Sequence, residues 1–177
     1  DILDFSKIEA GKITIENILN HTSGIKNYSD KDDFFPKSVT DISKDDLRKY
    51  FENDSLFFEP NTNWSYCNSG YVLAGLIVEK VSGKSLAEFL TENIFKPCGM
   101  ENTFVGNDDS VFVNSVSGYD NVQGLENTFE AKYKPAQYMS WTYSYGAGGI
   151  ISTLDDLLKY NNSLLSYKII KKELLDK

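Results

Sequence analysis

The sequence predicts a mainly helical fold that is interrupted by one long irregular segment. At several places a Ser or Thr stands directly before residues with helical hydrophobic spacing, which is how helices commonly begin. Residues 69–81 form an almost wholly apolar run of helical length. Residues 103–145 show little helical periodicity and are rich in Asn, Ser, Tyr and Val. We therefore expect mainly α structure around a segment of loops and short strands.

The first predicted helix follows Thr14, whose side chain can cap the helix while Glu16 lies in the first turn. We expect this helix to end near His21, with Gly24 as its stop signal. Residues 27–42 are polar and aromatic, and this composition indicates a loop.

The second predicted helix follows Ser43, with Asp46 three positions later as in a capping motif. Helical spacing supports it at three apolar or aromatic positions, namely Leu47, Tyr50 and Phe51. Residues 53–63 are predicted to return to a loop or a short extended piece.

The central helix is predicted over residues 69–81, with Gly83 as its stop signal. Its apolar side chains cover most of the helix circumference, so we expect burial on nearly all sides. Gly70 and Gly75 each cost about 1 kcal/mol relative to Ala inside a helix. We expect these glycines to permit the close approach of a neighbouring backbone.

Two more helices have clear starting signals. A capping box that begins at Ser85 predicts a helix over 86–94, which must end by Pro97. Thr153 is predicted to cap the helix LDDLLKYNNSLL, and residues 168–176 are predicted to begin another helix.

Composition limits the classes of function. The 177 residues fit one domain of ordinary size, and the net charge of −8 disfavours a nucleic-acid partner. No apolar run approaches the roughly 18 residues of a membrane span. The sequence contains one His and no metal-ligand spacing, P-loop or dinucleotide fingerprint, so we expect no metal and no cofactor. The two cysteines are predicted to be free thiols.

One short stretch joins a polar turn to the central helix and indicates a functional corner. Tyr66 and Asn68 flank Cys67 at this join. A buried helix is a rigid mount, and its first turn carries free N–H groups. A phenol and an amide held there can serve as catalytic and ligand-binding groups. The alternative is that Asn68 caps the helix and Tyr66 packs beneath it.

Four sequence motifs favour the functional interpretation of Tyr66 and Asn68, because together they resemble a known family. They are ITIENILNHTSGI (13–25), EPNTNWSYCNSGYVLAGLIVEKVSG (59–83), IFKPCGMENT (94–103) and GAGGIISTLDDLLKY (146–160). In this order they resemble the serine β-lactamase and penicillin-binding-protein family, in particular class C β-lactamases, D-alanyl-D-alanine carboxypeptidases and related esterases. The resemblance implies the α+β β-lactamase/transpeptidase-like fold. Residues 13–177 would be its central, mainly α subdomain, with the sheet-forming chain ends absent.

In this family the chemistry uses an S-x-x-K motif, a Tyr-x-Asn motif and a Lys-Thr-Gly or His-x-Gly strand. Tyr66-Cys67-Asn68 matches the second motif. The resemblance therefore implies that Tyr66 is catalytic and moves protons between serine, lysine and leaving group. It also implies that Asn68 binds the amide of the substrate.

The other two motifs are missing from this sequence. Only twelve residues precede the ITI string, and nothing after the last string matches the third motif. We therefore expect a fragment of a serine hydrolase, inactive as it stands, whose full-length parent forms an acyl-enzyme. The substrate can be a β-lactam, a D-Ala-D-Ala peptide of the peptidoglycan type, or an ester. By resemblance, the parent is expected outside the cell or in the cell envelope.

Two alternative functions remain open at this point. The chain can be a catalytically inactive module of the same fold that binds peptide or peptidoglycan. It can also be part of a signalling fusion, because residues 1–12 (DILDFSKIEAGK) resemble the end of the dimerisation helices of sensor histidine kinases. This N-terminal segment is of uncertain origin.

Two sequence features, a Ser–Lys pair and a lone histidine, imitate catalytic groups. Ser23 and Lys26 satisfy S-x-x-K by letters, but they stand at a predicted helix stop, whereas the motif needs both residues on one helix face. His21 is the only histidine and has no evident acid partner, so we interpret it as structural.

Three departures from the family pattern carry expectations of their own. Cys67 replaces a usual Ser or Ala and should be tolerated because it is small. Asn61 replaces a usual Gly and should strain its turn. Cys98 replaces a usual Leu.

Because the sheet-forming ends are missing, we also expect an exposed apolar face through which the chain can form a homo-oligomer.

Overall fold

The computed structural model describes residues 13–109, 115–122 and 132–175, so the segment 1–12 lies outside the described residues. The α-helices are α1 (Ile15–Leu19), α2 (Phe34–Lys37), α3 (Lys44–Glu52), α4 (Asn68–Ser82), α5 (Leu86–Leu90), α6 (Lys96–Cys98), α7 (Trp141–Ser144), α8 (Leu154–Leu165) and α9 (Lys172–Leu175). Short 3₁₀ turns lie at Tyr28–Asp30 and Tyr145–Ala147, and a π turn lies at Thr91–Phe95. The described part of the chain is therefore mainly helical, as predicted.

The strands in the described ranges are short and form two antiparallel pairs. Strand β1 (Phe104–Val105) pairs with β4 (Ile150–Ile151), with Phe104 opposite Ile151. Strand β2 (Tyr119–Asn121) pairs with β3 (Tyr133–Pro135), with Tyr119 opposite Pro135. Strands β1, β2 and β3 confirm the short strands predicted within residues 103–145, whereas β4 follows that segment and was not predicted.

The predicted capping residues begin four of the helices. Thr14, Ser43, Ser85 and Thr153 each accept a hydrogen bond from a backbone N–H three residues later, at 3.1–3.2 Å. These bonds satisfy N–H groups that have no partner inside the helix. The starts of α1, α3, α5 and α8 could therefore be predicted from a few neighbouring residues.

Helix α1 ends at Leu19, near His21 as predicted, because His21 takes a left-handed backbone conformation, with φ 64°. Three other predictions about helices were wrong. The predicted loop 27–42 contains both a 3₁₀ turn and α2. The helix predicted to end by Pro97 continues through the π turn to Cys98, because Pro97 lies in the first turn of α6, where a missing N–H costs little. The irregular segment also contains α7.

Helix α4 is the centre of the main core, as predicted, but only its first half is buried. Gly70 packs against Ile18, and Gly75 lies against the backbone of Gly146. A Cβ on Gly75 would lie 3.3 Å from the Cα of Gly146, so the predicted close backbone approach is confirmed. The end of the helix reaches the surface, where Val81 is 81% exposed. The prediction of burial on nearly all sides was therefore wrong for the last turns.

Within the described part of the chain, most buried apolar side chains form two groups. The main core contains Ile18, Ile25, Tyr28, Phe34, Leu47, Phe51, Cys67, Val72, Leu73 and Tyr143. A smaller core contains Phe95, Cys98 and Met100. Both cysteines are buried free thiols, as predicted.

Helix α8 presents an exposed apolar face at helical spacing. Leu154 is 86% exposed, and Leu157, Leu158 and Leu165 are also exposed. This face agrees with the apolar surface expected from the sequence, while homo-oligomer formation through it stays a prediction. Within the described ranges, no helix combines the length and the hydrophobicity needed to cross a bilayer.

The start of α8 is tied to the segment after α6 by the buried carboxylate of Asp156. Its Oδ2 accepts hydrogen bonds from the Asn102 backbone N–H at 2.7 Å and from the Thr103 hydroxyl at 2.9 Å. Its Oδ1 accepts one from the Lys159 ammonium at 2.7 Å. The Lys159 bond, with help from the other two, lowers the pKa of Asp156 below the ordinary 3.8 despite the opposing effect of burial.

We expect Asp156→Asn to lower the melting temperature by several degrees at neutral pH, because the amide cannot replace all three acceptor contacts. A lowered pKa means that the carboxylate stabilises the folded chain above pH 3.8. That contribution is lost as the pH falls below 3.8 toward the folded-state pKa. The difference in melting temperature between wild type and variant should therefore become smaller in acid. Thermal denaturation on both sides of pH 3.8 measures it.

Asp155→Asn is the matched control, because Asp155 is an exposed carboxylate in the same helical turn. It should change the melting temperature little at either pH. Equal effects of the two substitutions would contradict the role assigned to Asp156.

Candidate active site

Tyr66, Cys67 and Asn68 form the entrance to α4, and Cys67 fixes this entrance to the core. Cys67 is the N-cap residue with an extended backbone, and its thiol donates a hydrogen bond to the Ile25 carbonyl oxygen at 3.1 Å. Burial raises the pKa of this thiol. Cys67 is therefore an anchor for its neighbours, and its small size suits the buried position as predicted.

His21 supports the same entrance from below. Its Nδ1 accepts a hydrogen bond from the Cys67 backbone N–H at 3.2 Å, so the proton of the neutral ring is on Nε2. Its carbonyl oxygen accepts a bond from the Ser65 N–H at 3.1 Å. The rings of Tyr66 and Tyr71 pack against the imidazole, with centroids 4.6 and 5.3 Å away. These contacts confirm the structural role predicted for His21.

The ring of Tyr66 is held by packing, while its hydroxyl is unbonded within the described part of the chain. The side chain is 54% exposed, and its hydroxyl makes no hydrogen bond with any described residue. Tyr71 differs, because its hydroxyl donates to the Leu19 carbonyl oxygen at 3.0 Å. The hydroxyl of Tyr66 is thus available to a ligand or to groups outside the described residues.

Asn68 is oriented by residues that sequence reasoning missed. Its backbone N–H donates to Asn27 Oδ1, and its Nδ2 donates to Ser29 Oγ, both at 3.0 Å. No described residue donates to its Oδ1, which leaves this carbonyl oxygen available. Asn27 and Ser29 lie in the segment predicted as a loop, 41 and 39 residues before Asn68. No local pattern marks them, since their role exists only once the chain has folded.

Ser69 connects residues 26–28 to the first turn of α4 through two hydrogen bonds. Its hydroxyl donates to the Lys26 carbonyl oxygen at 2.7 Å and accepts from the Tyr28 N–H at 2.9 Å. The first turn of α4 and residues 26–29 therefore behave as one rigid unit, with Asn68 at its edge.

A pocket of about 400 Å³ opens beside Asn68. Its lining residues are Tyr28, Ser29, Phe34, Phe35, Asn68, Met139, Tyr143, Ser144 and Ala147. The buried Tyr28 hydroxyl donates to the carbonyl oxygen of Tyr143 and so joins two walls of the pocket. Burial raises the pKa of Tyr28, so its hydroxyl keeps the proton that it donates.

The Ser23–Lys26 pair does not form a nucleophile site. Ser23 is buried, and its Oγ accepts a hydrogen bond from the Ile25 N–H at 3.3 Å. Lys26 donates instead to Ser55 at 3.2 Å. None of the helices in the described residues includes the turn 20–27, so the two side chains do not share a helix face. The rejection of this pair is confirmed.

The turn at Asn61 has the conformation that glycine favours. Its φ is 66°, in the left-handed region that Asn tolerates better than most residues. The Asn61 Oδ1 accepts a hydrogen bond from Asn17 Nδ2 at 2.6 Å, which offsets part of the strain expected there.

Comparison with known proteins gives the same assignment as the four strings. A family model described as Beta-lactamase matches residues 3–175. Penicillin-binding protein 4* of Bacillus subtilis is 42% identical over 99 residues, which are 54% of this chain and 22% of that protein. D-aminopeptidase of Brucella canis is 27% identical over 165 residues, which are 87% of this chain and 28% of that protein. The chain thus spans less than a third of these relatives.

The fold agrees with solved structures. A D-stereospecific amidohydrolase from Streptomyces sp. superposes with a TM-score of 0.83 and 25% identity. The superposition covers 99% of this chain and 53% of that structure. The described residues are the helix-rich part of the β-lactamase/transpeptidase fold, and the chain belongs to the Beta-lactamase family of serine hydrolases.

Proposed function

We propose that this chain forms one wall of the active site of a serine hydrolase that works through an acyl-enzyme. The nucleophilic serine and its lysine would come from an S-x-x-K segment outside residues 1–177 of a longer protein. The observation that carries this proposal is the pair of unused polar groups at the entrance to α4, namely the Tyr66 hydroxyl and Asn68 Oδ1. Asn68 lines the pocket, and the ring of Tyr66 packs on His21 two residues before it in the chain.

Tyr66 would act as the general acid and base. When the serine oxygen attacks the substrate carbonyl, the serine proton passes to the lysine–Tyr66 pair. When the carbon–nitrogen bond breaks, the Tyr66 hydroxyl gives a proton to the leaving amine. Water then attacks the acyl-enzyme by the reverse proton path and releases the acid.

Asn68 would position the substrate. Its Nδ2 is held by Ser29, so its Oδ1 has a fixed direction and can accept a hydrogen bond from a substrate amide N–H. A preoriented acceptor loses little conformational freedom on binding, which favours affinity and alignment.

The names of the relatives favour amide substrates that contain a D-amino acid. One relative is a D-aminopeptidase, another is a penicillin-binding protein, and the structural neighbour is a D-stereospecific amidohydrolase. We therefore propose D-amino-acid amides or peptides of the peptidoglycan type first, and β-lactams and esters as further substrates of the same acyl-enzyme.

We expect the 177-residue chain by itself to hydrolyse neither a β-lactam nor an aryl ester above the buffer rate. The physical reason is that Ser23 is buried and has no lysine on a shared helix face. Incubation with a fluorophosphonate, followed by intact-mass measurement, should show no adduct.

A longer protein that includes the S-x-x-K segment is the positive control and should be labelled. Stoichiometric labelling of the short chain at Ser23 would contradict the proposal. A longer protein that binds substrate but is never acylated would favour the alternative of an inactive binding module.

A further inference from the structure

The pocket beside Asn68 has an uncharged lining in which four of the nine described residues are aromatic. None of the nine described residues that line it carries a charge. Its volume of about 400 Å³ lies within the range of small-ligand sites, roughly 300–1,000 Å³. A charged ligand group placed here would lose its hydration without gaining an ionic partner from this lining. The pocket therefore disfavours charged side chains.

The inner wall of the pocket is a rigid array of rings. Tyr28, Phe34 and Tyr143 are each at least nine-tenths buried. The Phe34 ring meets Tyr28 and Tyr143 edge to face, with centroids 5.6 and 5.8 Å apart. Because the Tyr28 hydroxyl is already bonded to the backbone of Tyr143, this wall offers a ligand no free phenol hydroxyl from Tyr28. Edge-to-face packing of a further ring against such a wall is favourable.

Two apolar side chains lie at the mouth. Phe35 is 63% exposed and contacts Phe34 with ring centroids 5.2 Å apart, and Met139 is partly exposed. Exposed apolar groups gain from being covered by a ligand, and methionine adapts its shape to the group that covers it.

Three polar side chains of the lining are not aromatic. Asn68 and Ser29 lie together, joined by their 3.0 Å hydrogen bond, and Ser144 is the third. A ligand that places an amide against Asn68 therefore directs its neighbouring side chain toward rings.

We infer that this pocket selects substrates whose acyl part carries a bulky apolar side chain, with an aromatic ring preferred over a methyl group or a charged chain. Phe35 is the specificity-determining residue that covers this side chain. The inference rests on the proposed function for the orientation of the substrate amide at Asn68. It adds the class of side chain, which Tyr66 and Asn68 by themselves do not determine.

The test is a binding titration of the ¹⁵N-labelled chain with three amides, N-acetyl-D-phenylalaninamide, N-acetyl-D-alaninamide and N-acetyl-D-lysinamide. We expect the phenylalanine amide to bind at least about tenfold more tightly than the alanine amide. The lysine amide should bind no more tightly than the alanine amide. Chemical-shift changes should concentrate at the Asn68 side-chain amide, Ser29 and Ser144.

Phe35→Ser tests the assigned residue, and Phe57→Ser is its matched control. Phe57 is a phenylalanine of similar exposure, 68%, and it lies outside this pocket. Phe35→Ser should remove most of the preference for the phenylalanine amide, whereas Phe57→Ser should keep it. Both positions are on the surface, so both variants should fold, as unchanged melting would show.

Equal affinities for the three amides would overturn the inference, as would shift changes away from Asn68 or an equal loss in both variants. Failure of the proposed function would look different. In that case Tyr66→Phe would leave turnover of the longer protein unchanged, a result that does not alter this titration of the short chain.

Discussion

Replacing Tyr66 by Phe in a longer protein that supplies the S-x-x-K serine is expected to lower turnover by about 10²–10⁴-fold. The substitution removes only a hydroxyl that no described residue bonds, and it keeps the ring that packs on His21 at 4.6 Å. The free energy of unfolding should therefore change little, by about 0.5 kcal/mol or less, as for most surface substitutions. Steady-state kinetics and thermal denaturation of the same preparation measure both effects.

Tyr71→Phe is the matched control, because the ring of Tyr71 packs on the same His21 while its hydroxyl donates to the Leu19 carbonyl oxygen. This variant should lose about 1 kcal/mol of stability and keep its turnover. Asn68→Ala should lower turnover and weaken substrate binding together. If Tyr66→Phe lowers melting sharply and leaves turnover intact, Tyr66 is a packing residue and its assigned role is wrong.

Gly24→Ala is expected to cause a large loss of stability, about 3 kcal/mol or more. Gly24 has φ 74°, and a Cβ there would overlap the carbonyl oxygen of Phe58, a backbone atom that cannot rotate away. The carbonyl oxygen of Gly24 also accepts the Phe57 N–H at 2.7 Å. Displacement of this turn would shift residues 26–29, which orient Asn68. Chemical denaturation of the short chain measures the loss.

Gly99→Ala is the control that measures the cost of the left-handed backbone conformation without any steric overlap of the new Cβ. Gly99 has φ 72°, and a Cβ there would have no atom within 4 Å. Its substitution should cost only the left-handed conformation, about 1–2 kcal/mol. If both alanine variants lose the same stability, the contact between Gly24 and Phe58 is not what constrains the turn.

Local chemistry explains which elements were predictable. The starts of α3 and α8 follow from Ser43 and Thr153, because a cap and its partner lie three residues apart. The stop of α4 at Gly83 follows from its left-handed φ of 69°. Such features need no knowledge of the rest of the fold, so the sequence carries them in a short window.

Features that depend on distant contacts were not predictable. Nothing near Ser29 shows that its hydroxyl will meet Asn68, 39 residues later. The burial of Phe34 depends on Tyr143, which comes from the irregular segment. Even Tyr66 and Asn68 were assigned by the order of four strings rather than by their own spacing. The pocket therefore emerged only from the folded chain.

We propose that this chain supplies the proton-transfer wall of the active site, while the nucleophile lies outside residues 1–177. The most direct measurement is the site and rate of acylation in the longer protein, with a fluorescent penicillin or an activated D-phenylalanine ester as the acyl donor. The adduct is trapped, digested and located by mass spectrometry in wild type and in Tyr66→Phe. We predict one adduct, on a serine outside residues 1–177, that forms at least about 100-fold more slowly in the variant. An adduct on a serine of this chain, or equal acylation rates in the two proteins, would contradict the account.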